Sequence, residues 1–161
     1  MDLKLLYAIF LTLMPITELR IGLPLAISYS LENNIPILLI FFLIVFINII
    51  LIFFIFFFLD TLHKYLLQID SYKKIFQKFL KKFQKKVDKF EKKHEELGFL
   101  ALALFVAIPL PGTGAWSGCL LAWILKLDRK KSLIAISMGI LIAGILVLLG
   151  SLGFIELLNL F

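Results

Sequence analysis

The sequence predicts an all-α integral membrane protein. It reads as an inverted repeat of a re-entrant helical hairpin plus a transmembrane helix, with a cytoplasmic amphipathic helical segment between the two units. Three observations lead there: long uncharged apolar runs, a break inside each remaining apolar segment, and basic residues gathered in two places. Hydrophobic residues make up 61% of the 161 and charged residues 17%, with a mean hydropathy of +1.03. A soluble chain of this size rarely goes so far, because its surface must still meet water.

The first unit is expected over residues 1–59, with a hairpin at 3–31 and a crossing at 36–59. Pro36 to Leu59 is 24 residues without a charge, enough to cross a hydrocarbon core of about 30 Å. Residues 3–31 are apolar but broken between Pro15 and Pro24. The leading half, residues 3–14, would make a helix of about 18 Å at a rise of about 1.5 Å per residue, roughly half a bilayer. Lys4 before Leu5–Met14 resembles the start of a signal peptide. However, Pro15-Ile16-Thr17-Glu18 stands where a small-residue cleavage site would be, so the segment is expected to be retained.

The middle, residues 60–97, is rich in lysine and holds no Gly or Pro. A heptad runs through it, with Leu66, Lys73, Leu80, Val87 and His94 at one core position and Leu62, Ile69, Phe76, Phe83, Phe90 and Leu97 at the other. Lysines flanking a phenylalanine stripe suit a helix lying on anionic lipid; a coiled-coil or helical-hairpin contact is the alternative. The second unit follows over 98–161, with a hairpin at 98–126, broken between Pro109 and Gly118, and a crossing at 132–155. Its uncharged run from Ser132 to Leu149 is 18 residues long.

Charge selects hairpins over kinked crossings. Of 17 Lys and Arg residues, 11 lie in 60–97 and four more are Lys126, Arg129, Lys130 and Lys131. If both broken segments re-enter, these 15 share the cytoplasmic side of a multi-pass cell-membrane protein with its termini outside, as the positive-inside rule favours. An offset of 96 supports the repeat. It lays PITELRIGLPLA (15–26) on PGTGAWSGCLLA (111–122) with five of twelve positions identical, and carries 36–59 onto 132–155. One crossing separates the units, so the second is inverted, the arrangement of many secondary transporters.

The breaks hold the candidate functional residues. Glu18 and Arg20 each cost about 2.5–3.5 kcal/mol at bilayer depth on insertion scales, so they need a wet or paired setting. Residues two apart on a helix point away from each other. Arg20 is therefore expected to meet carbonyls at a helix end in the other hairpin, and Glu18 the N–H groups that start a helix. Either they bind substrate or proton, or they only cap broken backbone. Thr17 and Thr113 are expected to cap the half-helices that follow them, and half-helix N-termini aimed at a cavity could hold a phosphate or carboxylate. Pro15, Gly22, Pro24, Pro109, Pro111, Gly112, Gly114 and Gly118 shape the tips. Trp116 stacks on a ligand or fills the bundle, and Asn48 in the first crossing packs against a helix or contacts substrate.

Other chemistry is not in view. The single cysteine, Cys119, forms no intramolecular disulfide or multi-cysteine metal site, and His63 and His94 lie far from ligand partners, so no metal or cofactor is expected. There is no Walker A loop and no histidine near the breaks for a Ser/His/acid arrangement, which argues against an enzyme. Membrane topology accounts for the basic residues, so nucleic acid is not an expected partner. Membrane lipids are, together with a small-molecule, ion or lipid substrate, and a homodimer or larger assembly to enclose a polar cavity.

With P-I-T-E-L-R-x-G-x-P at 15–24 and I-P-L-P-G-T-G-A-W-S-G at 108–118 on the page, the chain resembles the prokaryotic small multidrug export proteins over essentially its whole length. That family is in turn similar to the DedA/SNARE-associated membrane proteins, which share paired re-entrant hairpins. The resemblance implies a small secondary transporter or exporter; the ionisable Glu18 is the candidate for coupling it to protons. The DedA likeness implies as an alternative a translocase or scramblase of lipids or lipid carriers. This chain departs from the DedA pattern: its second hairpin has no acid and lacks the arginine-containing motif. A third reading is a non-transporting membrane organiser acting through 60–97.

Overall fold

The computed structural model describes residues 3–66, 95–110 and 112–159. Among them the chain forms α1 (Leu3–Leu13), α2 (Glu18–Glu32), α3 (Ile37–Leu66), α4 (Glu95–Ala107), α5 (Ala115–Ile124) and α6 (Arg129–Asn159), with no strand. Most of the amphipathic segment expected over 60–97, including His94, lies outside the described residues, as does Pro111.

Proline and polar caps set the helix limits. α1 stops before Met14-Pro15, because the residue preceding a proline is driven out of helical conformation; α4 stops likewise before Ile108-Pro109. After α2, Asn33 donates from Nδ2 to the Tyr29 carbonyl at 3.0 Å and Asn34 takes φ of 53°, turning the chain into α3. Ahead of α6, the Asp128 carboxylate accepts from the Lys131 N–H at 2.8 Å, a side-chain N-cap.

Two helices are long and apolar enough to cross a membrane, over Ile37–Thr61 and Arg129–Glu156. Both overrun the limits expected from charge. α3 continues seven residues past Leu59. Asp60 does not break it, because its carboxylate is bonded to Trp123 and Arg129. α6 begins three residues before Ser132, because Asp128 caps it there. Most of each span is not buried within the chain. The unburied part is apolar: Phe42, Phe46, Phe53 and Phe57 all stand outward on α3. Such a continuous apolar face belongs in lipid rather than water.

α1 and α2 pack antiparallel, since Lys4 at the head of α1 donates to Glu32 at the end of α2 at 2.6 Å. Gly22 lets them close: a Cβ there would lie 2.8 Å from the Ala8 carbonyl oxygen and would overlap Thr12 Oγ1. α3 and α6 are also antiparallel. Phe41 and Val45 near the start of α3 lie against Gly144 in α6, while Asp60 near the other end of α3 meets Arg129 at the start of α6. α4 lies on α6 at Gly139, where an added Cβ would come within 2.6 Å of the Ala103 carbonyl oxygen. Leu23, Ile27, Ile44, Ile52, Val106 and Ile136 fill the centre where these helices converge.

Candidate functional site

The two breaks meet, and each supplies what the other lacks. α5 begins at Ala115 with N–H groups that have no partner within the helix, the condition of every helix start. The Glu18 carboxylate takes them: Ala115 N–H donates to Oε2 at 3.2 Å and Trp116 N–H to Oε1 at 3.1 Å. Glu18 is only 4% exposed, so this bonding, with the positive end of the α5 dipole, is what makes a carboxylate tolerable there. Glu18 itself holds φ of 45°, a left-handed conformation that few residues of its type adopt.

Arg20, two residues on in the first turn of α2, donates from Nη2 to the Thr113 carbonyl and, at 2.5 Å, to Thr113 Oγ1. Its Nε is buried without a partner. Gly114 stands between the two charged groups: a Cβ there would overlap a Glu18 carboxylate oxygen and lie 3.2 Å from the Arg20 guanidinium. In return, Trp116 of α5 donates its indole N–H to the carbonyl of Leu13, the last residue of α1, at 3.1 Å. Tip backbone from one hairpin is thus closed by side chains from the other.

The threonines act differently from expectation. The N-cap of α2 is Thr17 and that of α5 is Gly114, and neither makes a side-chain cap bond. Thr17 Oγ1 donates backward to the Leu11 carbonyl at 2.5 Å, and Thr113 Oγ1 to the Ile108 or Leu110 carbonyl at 2.6 or 2.8 Å. Thr17 thus closes the end of α1, and Thr113 ties down the turn that follows α4, while Glu18 already serves the α5 N–H groups.

Other candidates are placed apart. Asn48 lies in α3, 1% exposed, with neither side-chain oxygen nor nitrogen bonded; it makes no bond to the tips. Pro15 lies in the turn between α1 and α2, Pro24 inside α2, and Pro109 just after α4. Gly112 takes φ of 85°, and Gly118 packs on Val106 and Ile136. Among the described residues no cluster of His, Cys, Asp and Glu could hold a metal.

Two polar clusters were missed in the sequence. At one end, Lys4 Nζ bonds Glu32 and, at 3.0 Å, Ser28 Oγ; the hydrogen bond from Lys4 holds the Glu32 carboxyl below its ordinary range. At the other end, Asp60 accepts from Trp123 Nε1 at 2.9 Å and from Arg129 at 2.6 Å, with the Arg129 guanidinium 4.2 Å from the centre of the Phe56 ring. An aspartate follows the first uncharged run and a basic cluster that includes Arg129 precedes the second, at ends that the antiparallel packing of α3 and α6 puts together.

Comparison with curated proteins and with solved structures gives no match. The family described as "Putative small multi-drug export protein" matches residues 18–146, from Glu18 through the first span and into the second. The chain belongs to this small multidrug export family of membrane proteins.

Proposed function

We propose that the chain is a small secondary exporter of the cell membrane, coupled to protons through Glu18, in which two re-entrant hairpins related by an inverted repeat meet at a polar site. The observation that carries this reading is the buried Glu18 carboxylate on the N–H groups of α5, facing Arg20 across Gly114. The repeat is supported at the same point. Glu18 and Gly114 are equivalent at an offset of 96, both hold positive φ, and they lie in contact. Arg20 and Trp116 are likewise equivalent, and each donates into the other hairpin.

Bonds from N–H groups to an ionised carboxylate are about twice as strong as neutral ones. An ionised Glu18 therefore ties the hairpins together. Taking up a proton weakens that tie and lets the tips part, and releasing the proton on the opposite side restores it. Substrate and proton exchange at one site in this scheme, and no ATP is needed.

Glu18→Gln in proteoliposomes tests it. The amide keeps size and hydrogen-bonding capacity but cannot titrate. We expect pH-driven flux to fall by about tenfold or more, with the protein still folded and inserted, since an isosteric loss of ionisation removes charge-assisted bonding worth at least about 1.4 kcal/mol. Flux with unchanged pH dependence would reduce Glu18 to a backbone cap. Movement of a fluorescent lipid without a proton gradient would favour lipid translocation instead.

A further inference from the structure

An open groove of about 570 Å³ runs between α2 and α6 at the end of the molecule where α1 begins. Pro24, Ser28 and Glu32 on α2 face Gly150, Ser151 and Phe154 on α6. Its volume is that of a site for a drug-sized molecule, and its walls are mainly apolar. What polar groups it has are almost all acceptors. Ser151 spends its hydroxyl hydrogen on the Val147 carbonyl at 2.7 Å, and Ser28 directs its own toward Glu32 at 3.4 Å. Lone pairs remain on both oxygens. Glu32 accepts only, and its side chain is 58% exposed. Pro24 has no N–H for the carbonyl one turn earlier.

One group shows what this rim holds. The Lys4 ammonium lies 2.6 Å from Glu32 Oε1 and 3.0 Å from Ser28 Oγ. It is a primary ammonium on a flexible stem, bound where the groove opens. We propose that this groove binds an amphiphile with a protonated amine head, the head taking the place of Lys4 on Glu32 and Ser28 and the apolar body lying along Leu31, Ile155 and Phe154. This rests on the export reading and names its substrate class.

The probe is dodecylammonium, with the chain in nanodiscs of phosphatidylcholine and phosphatidylglycerol, which offer no competing ammonium N–H. Gly150→Cys in a Cys119→Ala background reports occupancy, because a Cβ at Gly150 meets nothing within 4 Å. Bound ligand should slow its reaction with N-ethylmaleimide. Glu32→Gln should weaken the half-saturating concentration by about tenfold, the loss of one charge-assisted bond, whereas Glu32→Asp should retain most of the protection. Lys4→Ala should strengthen it several-fold by removing the tethered competitor. Equal protection by dodecanol, indifference to Glu32→Gln, or weaker binding after Lys4→Ala would each overturn the site. So would protection produced by phosphatidylethanolamine that dodecylammonium cannot displace. Protection without export of dodecylammonium would uphold the groove and reject the export reading, while export without protection would do the reverse.

Discussion

Gly114 shows how much one missing Cβ permits. Its φ of 120° is open to glycine and strained for other residues, and a methyl group there would overlap the Glu18 carboxylate. Gly114→Ala should therefore cost about 3 kcal/mol or more: about 1 for the backbone and about 1.5–3 for each displaced bond to a charged group. Gly150→Ala, where an added Cβ meets nothing, should be neutral or slightly stabilising. Thermal unfolding of both variants in detergent checks the contrast. At this scale the sequence was informative where a lone residue is costly. The partners of Glu18 and Arg20 were legible because a charge inside an apolar segment demands them, and broken helix ends are the natural ones. The threonines were not, since a hydroxyl can close the helix before it or after it, and only the assembled tips decide. Lys4–Glu32 and Asp60–Arg129 join residues 28 and 69 positions apart, which no local pattern reveals.

Among the elements, helix limits were legible at prolines and less so at charges. Pro15 and Pro109 stop α1 and α4 because the chemistry is local. α3 runs through Asp60 because its partners come from α5 and α6, a tertiary fact. Helix-to-helix distances are set by small residues that sequence alone leaves unassigned. Gly139 is the clearest, with Val106 Cβ 2.7 Å and the Ala103 carbonyl 2.6 Å from any added Cβ. Gly139→Ala must push α4 off α6 and should cost about 1–3 kcal/mol, as overpacking typically does. Gly153→Ala, also in α6 but in open space, should instead stabilise by up to about 1 kcal/mol through helix propensity. Denaturation of the two side by side separates packing from helix propensity.

For the whole molecule, the helical class, the two spans and the family were all legible, because lipid imposes long uncharged runs and the tip motifs are distinctive. The direction of insertion proposed for the chain rests on the 15 of 17 basic residues in 60–97 and 126–131. Reporters fused after Leu97 and after Lys131 should both read cytoplasmic; opposite locations would defeat the re-entrant reading. The bond from Trp116 to Leu13 carries one more consequence. The chain has two tryptophans, one at the meeting of the hairpins and one, Trp123, on the Asp60–Arg129 cluster. Replacing Trp123 by phenylalanine leaves a single indole whose N–H is shared across the two halves. Its emission colour and lifetime then give an optical record of whether the halves are joined or apart, read without any added dye.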